Sequence, residues 1–309
     1  MSAMHASLGI AAALAAAAFT AGWLRLAPRL GVGKAVREDG PDSHQTKAGT
    51  PTMGGLAFVL PAPLLAWLVA PSETTVALAL LTWAAAAFGL WDDVAALRRK
   101  RKAEAGGDVT TGLLARYRLL GQGLIGLAFA GWAVTSGLSW LGPAWLDTAA
   151  FTFVLVGSAN AFNMTDGLDG LAAGVSAIAL LFFIGSPVAV ALLGGLLGFL
   201  WFNAHPAKVF MGGVGAEATG MAVAGLAIVQ QQVWFLPLVA VVPVAEVLSV
   251  MAQVATFRIT GGRRLLKMSP LHHHFELSGW PETRVVLRFW LVGALALALA
   301  LALRDVWGA

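Results

Sequence analysis

Residues 160–171 read NAFNMTDGLDGL, and an apolar run lies on either side of them. Within twelve positions stand two carboxylates, two carboxamides, a hydroxyl and two glycines. An aspartate near the middle of a spanning helix is unfavourable by about 2.5–3.5 kcal/mol, so Asp166 and Asp169 belong at a helix end or in a watered cavity, where such carboxylates mark function. Asn160, Asn163 and Asp166 are spaced three apart and line one face of the last turns of a helix that Gly167 is free to break, with Asp169 just beyond. The plainer alternative is a capped interhelical turn, because Asp and Asn ahead of Gly form turns readily.

The chain around this stretch is apolar throughout. Of 309 residues 58% are hydrophobic and 12% charged, and the mean hydropathy is +0.77. This composition excludes a soluble domain and defines an integral membrane protein. Apolar runs fall near 6–24, 53–71, 75–91, 119–137, 148–165, 170–185, 187–203, 216–231, 233–252 and 285–303. The expected fold is all-α, a single transmembrane domain over 1–309 with about ten spans. The first run is read as a retained span, since no Lys or Arg precedes it and it exceeds a signal core. With no cysteine, disulfides, thiolate metal sites and cysteine nucleophiles drop out.

Basic residues orient this array. Loops 25–52, 92–118, 204–215 and 253–288 hold 19 of the 20 Lys and Arg, and these are alternate loops. By the positive-inside rule they are cytoplasmic, together with the turn at 166–170, and both termini lie outside. The charge of +4 is therefore orientation signal, and no nucleic-acid partner is expected. Trp140, Trp145 and Trp234 sit near the outer ends, where indoles favour the interface. No internal repeat supports an inverted-repeat transporter.

The polar clusters all fall on the inner loops. Residues 47–55, KAGTPTMGG, join Lys47, Thr52 and a Gly pair to a helix start, an arrangement able to seat an anion on free backbone donors. The adjacent Asp92 and Asp93 repel one another unless a divalent cation or a proton relieves them. The basic run at 98–102 that follows is read mainly as solvated inner charge. Phe210, near a membrane face, has two readings, stacking on a flat ring or the commoner interface packing. Residues 267–282, KMSPLHHHFELSGWPE, carry three adjacent histidines that cannot all face one way. Their spacing is poor for zinc, and hydrogen-bond donation to phosphates beside a magnesium-type site suits them better.

Taken together, KAGTPTMGG, the Asp92–Asp93 pair, GLLARYRLLGQ, NAFNMTDGLDGLA, FNAHPAKVFMG and PLHHHFELSGWPE resemble the phospho-N-acetylmuramoyl-pentapeptide transferases, within the family-4 type polyprenyl-phosphate N-acetylhexosamine-1-phosphate transferases. The match runs in order along nearly the whole chain. It implies transfer of phospho-MurNAc-pentapeptide from UDP-MurNAc-pentapeptide to undecaprenyl phosphate with Mg²⁺, giving lipid I and UMP, at the cytoplasmic face of a bacterial inner membrane. By the same resemblance Asp92 is the base on the lipid phosphate with Asp93 beside it, and Asp166 and Asp93 serve the metal. Asn163 orients groups at that centre, and Asn160 stands with it among the substrate-binding residues. Gly167, Leu168 and Asp169 contact the uracil on which Phe210 stacks, while Lys47, Thr52, His272 and His273 contact nucleotide or phosphate. Membrane lipids are the other partners, and the chain is compatible with a homodimer.

One departure stands out. Where the family carries a metal-binding Asp and a Ser, this chain has Gly213 and Ala216. Losing a carboxylate removes a hard-cation ligand and its charge. Glu217 is the nearest other carboxylate; the remaining expectations are a more hydrated site on Asp92, Asp93 and Asp166, or a homologue that binds substrate and turns over poorly. A relative acting on another UDP-N-acetylhexosamine is the nearest enzymatic rival.

Overall fold

The computed structural model describes residues 3–33, 47, 49–104 and 112–307, apart from the side chains of 100–104, 112–115 and 307. Lys34 and Arg37 of the first inner loop lie outside the described residues. The helices run α1 (Ala3–Leu30), α2 (Leu56–Val59), α3 (Pro61–Val69), α4 (Glu73–Glu104), α5 (Gly112–Thr135), α6 (Ala144–Thr165) and α7 (Leu171–Leu181). They continue as α8 (Pro187–Asn203), α9 (Gly212–Val229), α10 (Leu236–Val239), α11 (Val241–Ile259), α12 (Leu271–Glu276) and α13 (Glu282–Trp307). A 3₁₀ turn, Val233–Phe235, precedes α10. Among the described residues there is no strand, only an isolated bridge between Gly33 and Pro51.

The fold is all-α and polytopic. Five helices, Ala3–Leu30, Glu73–Arg99, Gly212–Val229, Val241–Ile259 and Glu282–Val306, are long and apolar enough to cross a membrane, and Leu56–Val69, Leu171–Leu181 and Pro187–Asn203 are shorter apolar helices. Phe153, Trp201 and Leu295 are 78%, 84% and 72% exposed, which suits lipid and not water. Several boundaries differ from the hydropathy reading. The run at 53–71 divides at Leu60, where Pro61 begins a new helix, because proline supplies no amide to the preceding turn. The third run does not stop at Asp92: α4 continues through both aspartates to Glu104.

Within a bilayer, helices gain little from hiding apolar surface and associate through close packing of small residues. The glycines of this chain are used that way. On α8, Gly194 and Gly198 are four apart and meet the backbone of Gly9 and Ala13 on α1, at 3.0 Å from Gly9 Cα and 3.1 Å from Ala13 Cα for a notional Cβ. On α9, Gly220 meets Ala159 of α6 in the same manner, at 3.0 Å from its Cα. Gly89 of α4 packs on Gly213 of α9, where an added Cβ would lie 2.5 Å from the Gly213 carbonyl oxygen. Every residue of α9 from Gly213 to Ile228 is buried, so α9 is the central helix.

That crossing positions the chemistry. Asp93 lies one turn beyond Gly89 on α4, so the close approach at Gly89 delivers its carboxylate to the start of α9. A second, smaller apolar cluster joins Leu168, Leu171 and Val175 to Val242, Val285, Val286 and Phe289, with Leu271, Phe275 and Trp280 against it. It draws α12 and the start of α13 onto the turn at 166–170. At the far end of α6 the buried Asp147 accepts hydrogen bonds from Ser139 Oγ at 2.7 Å and the Trp140 amide at 3.1 Å. This carboxylate organises a turn beside the Trp140–Trp234 edge contact.

Candidate active site

Helix α9 starts with amides that have no partner within the helix. Three in succession are taken by carboxylates of other helices. The Gly212 amide donates to Asp166 Oδ2 at 3.0 Å, the Gly213 amide to Asp93 Oδ1 at 3.0 Å and the Val214 amide to Asp93 Oδ2 at 3.1 Å. Two anions at a helix N-terminus also meet the positive end of its dipole. Asp92 lies next along α4, with its Oδ2 3.7 Å from Arg118 Nη1. The structure thus brings Asp92, Asp93 and Asp166 to one place, as the sequence reading requires of a shared centre.

Gly213 stands where the family's metal-binding Asp is expected. A Cβ there would lie 3.0 Å from Asp93 Oδ1, so the space beside this position belongs to the Asp93 carboxylate. Glu217 does not turn toward it. Its Oε1 accepts from Arg118 Nη2 and its Oε2 from Gln122 Nε2 at 3.0 Å, which leaves the carboxylate in an ion pair inside the helix packing.

The turn after α6 carries the second half of the site. Helix α6 ends at Thr165 with Asp166 as its cap. Gly167 follows that cap directly, where the sequence reading expects the helix to break, and the left-handed residue that redirects the chain is Gly170, at φ 73°. Gly167 is needed for a different reason: a side chain there would overlap the imidazole of His272. Asp169, 3% exposed, accepts from Lys47 Nζ at 2.8 Å, from the Ala207 amide at 3.0 Å, and pairs with His205 Nδ1 at 2.9 Å. Burial alone would raise the Asp169 carboxyl, but these hydrogen bonds and the charge of Lys47 outweigh it and hold the group below the usual carboxylate value.

Glu282, at the start of α13, closes this cluster. Its Oε1 accepts both the Lys47 ammonium at 2.5 Å and the Asp169 amide at 2.7 Å. Ligand atoms of Asp169, His205 and Glu282 lie within 4.8 Å of one another, a metal-like grouping, but Lys47 already brings positive charge to both carboxylates. The Lys47 ammonium is also 5.9 Å from the centre of the Phe210 ring, and that ring is buried.

The three histidines have three different partners. His272 is buried, with its amide 3.2 Å and its Nδ1 2.9 Å from Oε1 of the fully buried Glu246 on α11. His273 Nδ1 pairs with Glu276 at 2.9 Å, and His274 Nδ1 accepts the Lys267 amide at 3.2 Å. The tract does not gather on one ion, so the zinc reading has no geometric support. Glu246 was invisible to motif reading, although a lone carboxylate inside the apolar run 233–252 is itself a signal of function. His205, Glu282, Arg118 and Gln122 sit inside quoted motifs without an assigned role, and only the packing gives them one.

Two other expectations change. The amides of Gly54 and Gly55 are not free for an anion: they donate to the carbonyls of Phe210 and Met211, both at 2.9 Å. This glycine pair instead admits α9, for a Cβ on Gly55 would meet the Gly215 amide nitrogen at 2.5 Å. Asn160 turns its Nδ2 to Gln122 Oε1 at 2.7 Å and to the Val156 carbonyl at 2.8 Å, so both amide hydrogens point into the protein. Leu168 is buried. Thr52 is pinned by its carbonyl, which accepts Trp23 Nε1 at 2.9 Å.

An all-helical membrane array with an acidic centre at one helix start and a lysine-bridged cluster beside it defines a class, the membrane-embedded transferases: residues 75–231 match the profile of Glycosyl transferase family 4. Residues 47–59 match the Phospho-N-acetylmuramoyl-pentapeptide-transferase signature 1. The chain is 44% identical over 291 residues to the phospho-N-acetylmuramoyl-pentapeptide-transferase of Deinococcus radiodurans, covering 90% of this chain and 92% of that one. It is 45% identical over 300 residues to that of Moorella thermoacetica, covering 89% of each. With that of Cutibacterium acnes the identity is 37% over 327 residues, covering 88% and 89%. The chain belongs to the phospho-N-acetylmuramoyl-pentapeptide transferase family.

Proposed function

We propose that this protein transfers phospho-MurNAc-pentapeptide from UDP-MurNAc-pentapeptide to undecaprenyl phosphate, forming lipid I and releasing UMP in peptidoglycan biosynthesis. The observation that carries the reading is the seating of Asp93 and Asp166 on the first amides of α9, with Asp92 next along α4 and paired to Arg118, beside a cluster built on Lys47 of the matched signature. In this reading the chain crosses a bacterial cytoplasmic membrane about ten times, with both termini outside and the site facing the cytoplasm.

Both substrates are anionic, so their approach requires positive charge and fixed donors. Asp166 and Asp93 would hold Mg²⁺, since a carboxylate oxygen that accepts one amide keeps a second lone pair for a hard cation. When bound, the ion neutralises phosphate charge as a Lewis acid. Asp92 takes the proton of the attacking lipid phosphate. Lys47 and His272, which reach the 166–170 turn at Asp169 and Gly167, contact nucleotide or phosphate, and Asn163 orients groups at the acidic centre. Leu168 contributes through backbone, as does Gly167, and Phe210 and Thr52 complete the uridine side with His273 and Asp169. Phosphorus passes from the UMP oxygen to the lipid phosphate oxygen, and UMP leaves.

The test is Mg²⁺-dependent release of UMP by purified protein supplied with UDP-MurNAc-pentapeptide and undecaprenyl phosphate. Asp92→Asn should lower it by about 10²–10⁴-fold, the range for general acid–base groups. Release from UDP-N-acetylglucosamine alone would overturn the choice of substrate. Activity appearing only in Gly213→Asp would assign the natural chain to binding instead of turnover.

A further inference from the structure

Glu217 is a carboxylate 1% exposed, in the second turn of a helix whose other residues are uncharged and, apart from Thr219, apolar. Its two oxygens divide between two partners on α5. Oε1 takes Arg118 Nη2, and Oε2 takes Gln122 Nε2 at 3.0 Å. Gln122 is fully buried and passes the connection on, its Oε1 accepting Asn160 Nδ2 at 2.7 Å. The other end of the Arg118 fork, Nη1, stands 3.7 Å from Asp92 Oδ2. That distance is an ion pair and not a hydrogen bond.

The guanidinium therefore lies between an acid inside the helix packing and an acid of the acidic centre. A planar fork next to a carboxylate ordinarily closes on it with two parallel hydrogen bonds. Were Arg118 to close on Asp92 that way, both Asp92 oxygens would be occupied and its lone pairs withdrawn from the lipid phosphate. Glu217 prevents this by holding Nη2 in the packing. Glu217 also stands one turn from Gly213 on the same face of α9, so the carboxylate missing at 213 has a counterpart one turn deeper, directed at an arginine.

Building on the transfer reaction proposed above, we infer that Glu217 is a positioning residue: it anchors Arg118 so that Asp92 stays open to the lipid phosphate. Glu217 does not ligate the metal. Glu217→Gln keeps volume and the Gln122 contact but removes the charge that retains Arg118.

In UMP release, Glu217→Gln should lower kcat by about ten- to a hundredfold, the equivalent of one hydrogen bond to a charged group. KM for the nucleotide should stay within about twofold, and the Mg²⁺ concentration for half-maximal rate should not move. Glu217→Asp, which restores the charge, should recover most of the rate, and it is the deciding variant if the glutamine protein does not accumulate. The structure of Glu217→Gln should show both Arg118 terminal nitrogens within hydrogen-bond distance of Asp92. An unchanged kcat, an increased Mg²⁺ requirement, or an Arg118 that keeps its place in the variant would each overturn the inference. If the natural protein releases no UMP, it is the transfer reading that fails, and the position of Arg118 in the variant structure still decides this one.

Discussion

Gly167→Ala adds a single methyl group where the turn after α6 meets the imidazole of His272. The new Cβ would overlap Nε2 and stand 2.7 Å from Cε1 and 3.1 Å from Cδ2. Carbon atoms pack best at about 3.5–4.0 Å, so the ring has to withdraw by about 1 Å. It has nowhere to go, because its amide and Nδ1 are tied to Glu246 at 3.2 and 2.9 Å and both residues are buried. Overpacking of this kind costs about 1–3 kcal/mol of stability, and a group misplaced by 1 Å costs about a hundredfold in rate. Backbone strain does not contribute, since Gly167 is not among the residues with positive φ. Saturating UMP-release assays on Gly167→Ala should therefore show kcat reduced by about a hundredfold, at unchanged Mg²⁺ requirement. Gly157→Ala on α6 is the control: its Cβ would meet nothing within 4 Å, and helix propensity there favours alanine by about 1 kcal/mol. Natural activity in Gly167→Ala, or an equal loss in the control, would refute the assignment of His272 to the site.

Glu246→Ala removes the acceptor of two hydrogen bonds to His272, each about 1.5–3 kcal/mol when a charged group takes part; kcat should fall at least tenfold, and nucleotide affinity by titration should weaken with it. Lys47→Met leaves the carboxylates of Asp169 and Glu282, 3% and 8% exposed, without their cation, which costs about 3–5 kcal/mol for a broken buried pair. Its unfolding temperature in detergent should drop clearly and recover in Lys47→Met with Glu282→Gln. The Asp169 carboxyl is held below its ordinary value, so its contribution to stability is complete above the unfolded value of about 3.9 and is lost as pH falls through the lower folded value. Thermal unfolding followed from pH 7 to pH 3 should show an acid loss that Asp169→Asn lacks, and equal acid losses in both proteins would remove Asp169 as its source.

Much of this site could be read from residue types. Asp92, Asp93 and Asp166 are expected to share a centre, because carboxylates at a membrane face need a common reason to be there; Asp93 and Asp166 sit on the first amides of α9, and Asp92 lies next along α4. The turn at 166–170 and the importance of Lys47 were legible from the motifs that hold them. Glycine was the least legible residue. Gly54 and Gly55 look like an anion seat, yet their amides serve Phe210 and Met211; Gly167 looks like a helix breaker, yet it makes room for an imidazole. A glycine in a sequence declares that something comes close without saying what. The carboxylates of Glu246 and Glu217 are another case, since a buried acid announces only that it needs a partner.

What the amino-acid order determines alone is the membrane array. Each backbone polar group in a bilayer has to be satisfied within its own segment or a closed barrel, so the length and apolarity of a run define a helix with no knowledge of its neighbours. Tertiary structure alone decides who meets whom. Lys47 and Glu282 are 235 positions apart and Arg118 and Glu217 are 99 apart; these pairs exist because α9 packs on glycine against α4 and α6, and α13 docks on the turn after α6. Contacts of that kind depend on distances of a few ångströms between helices, which follow from small residues at the crossings and appear in no local pattern.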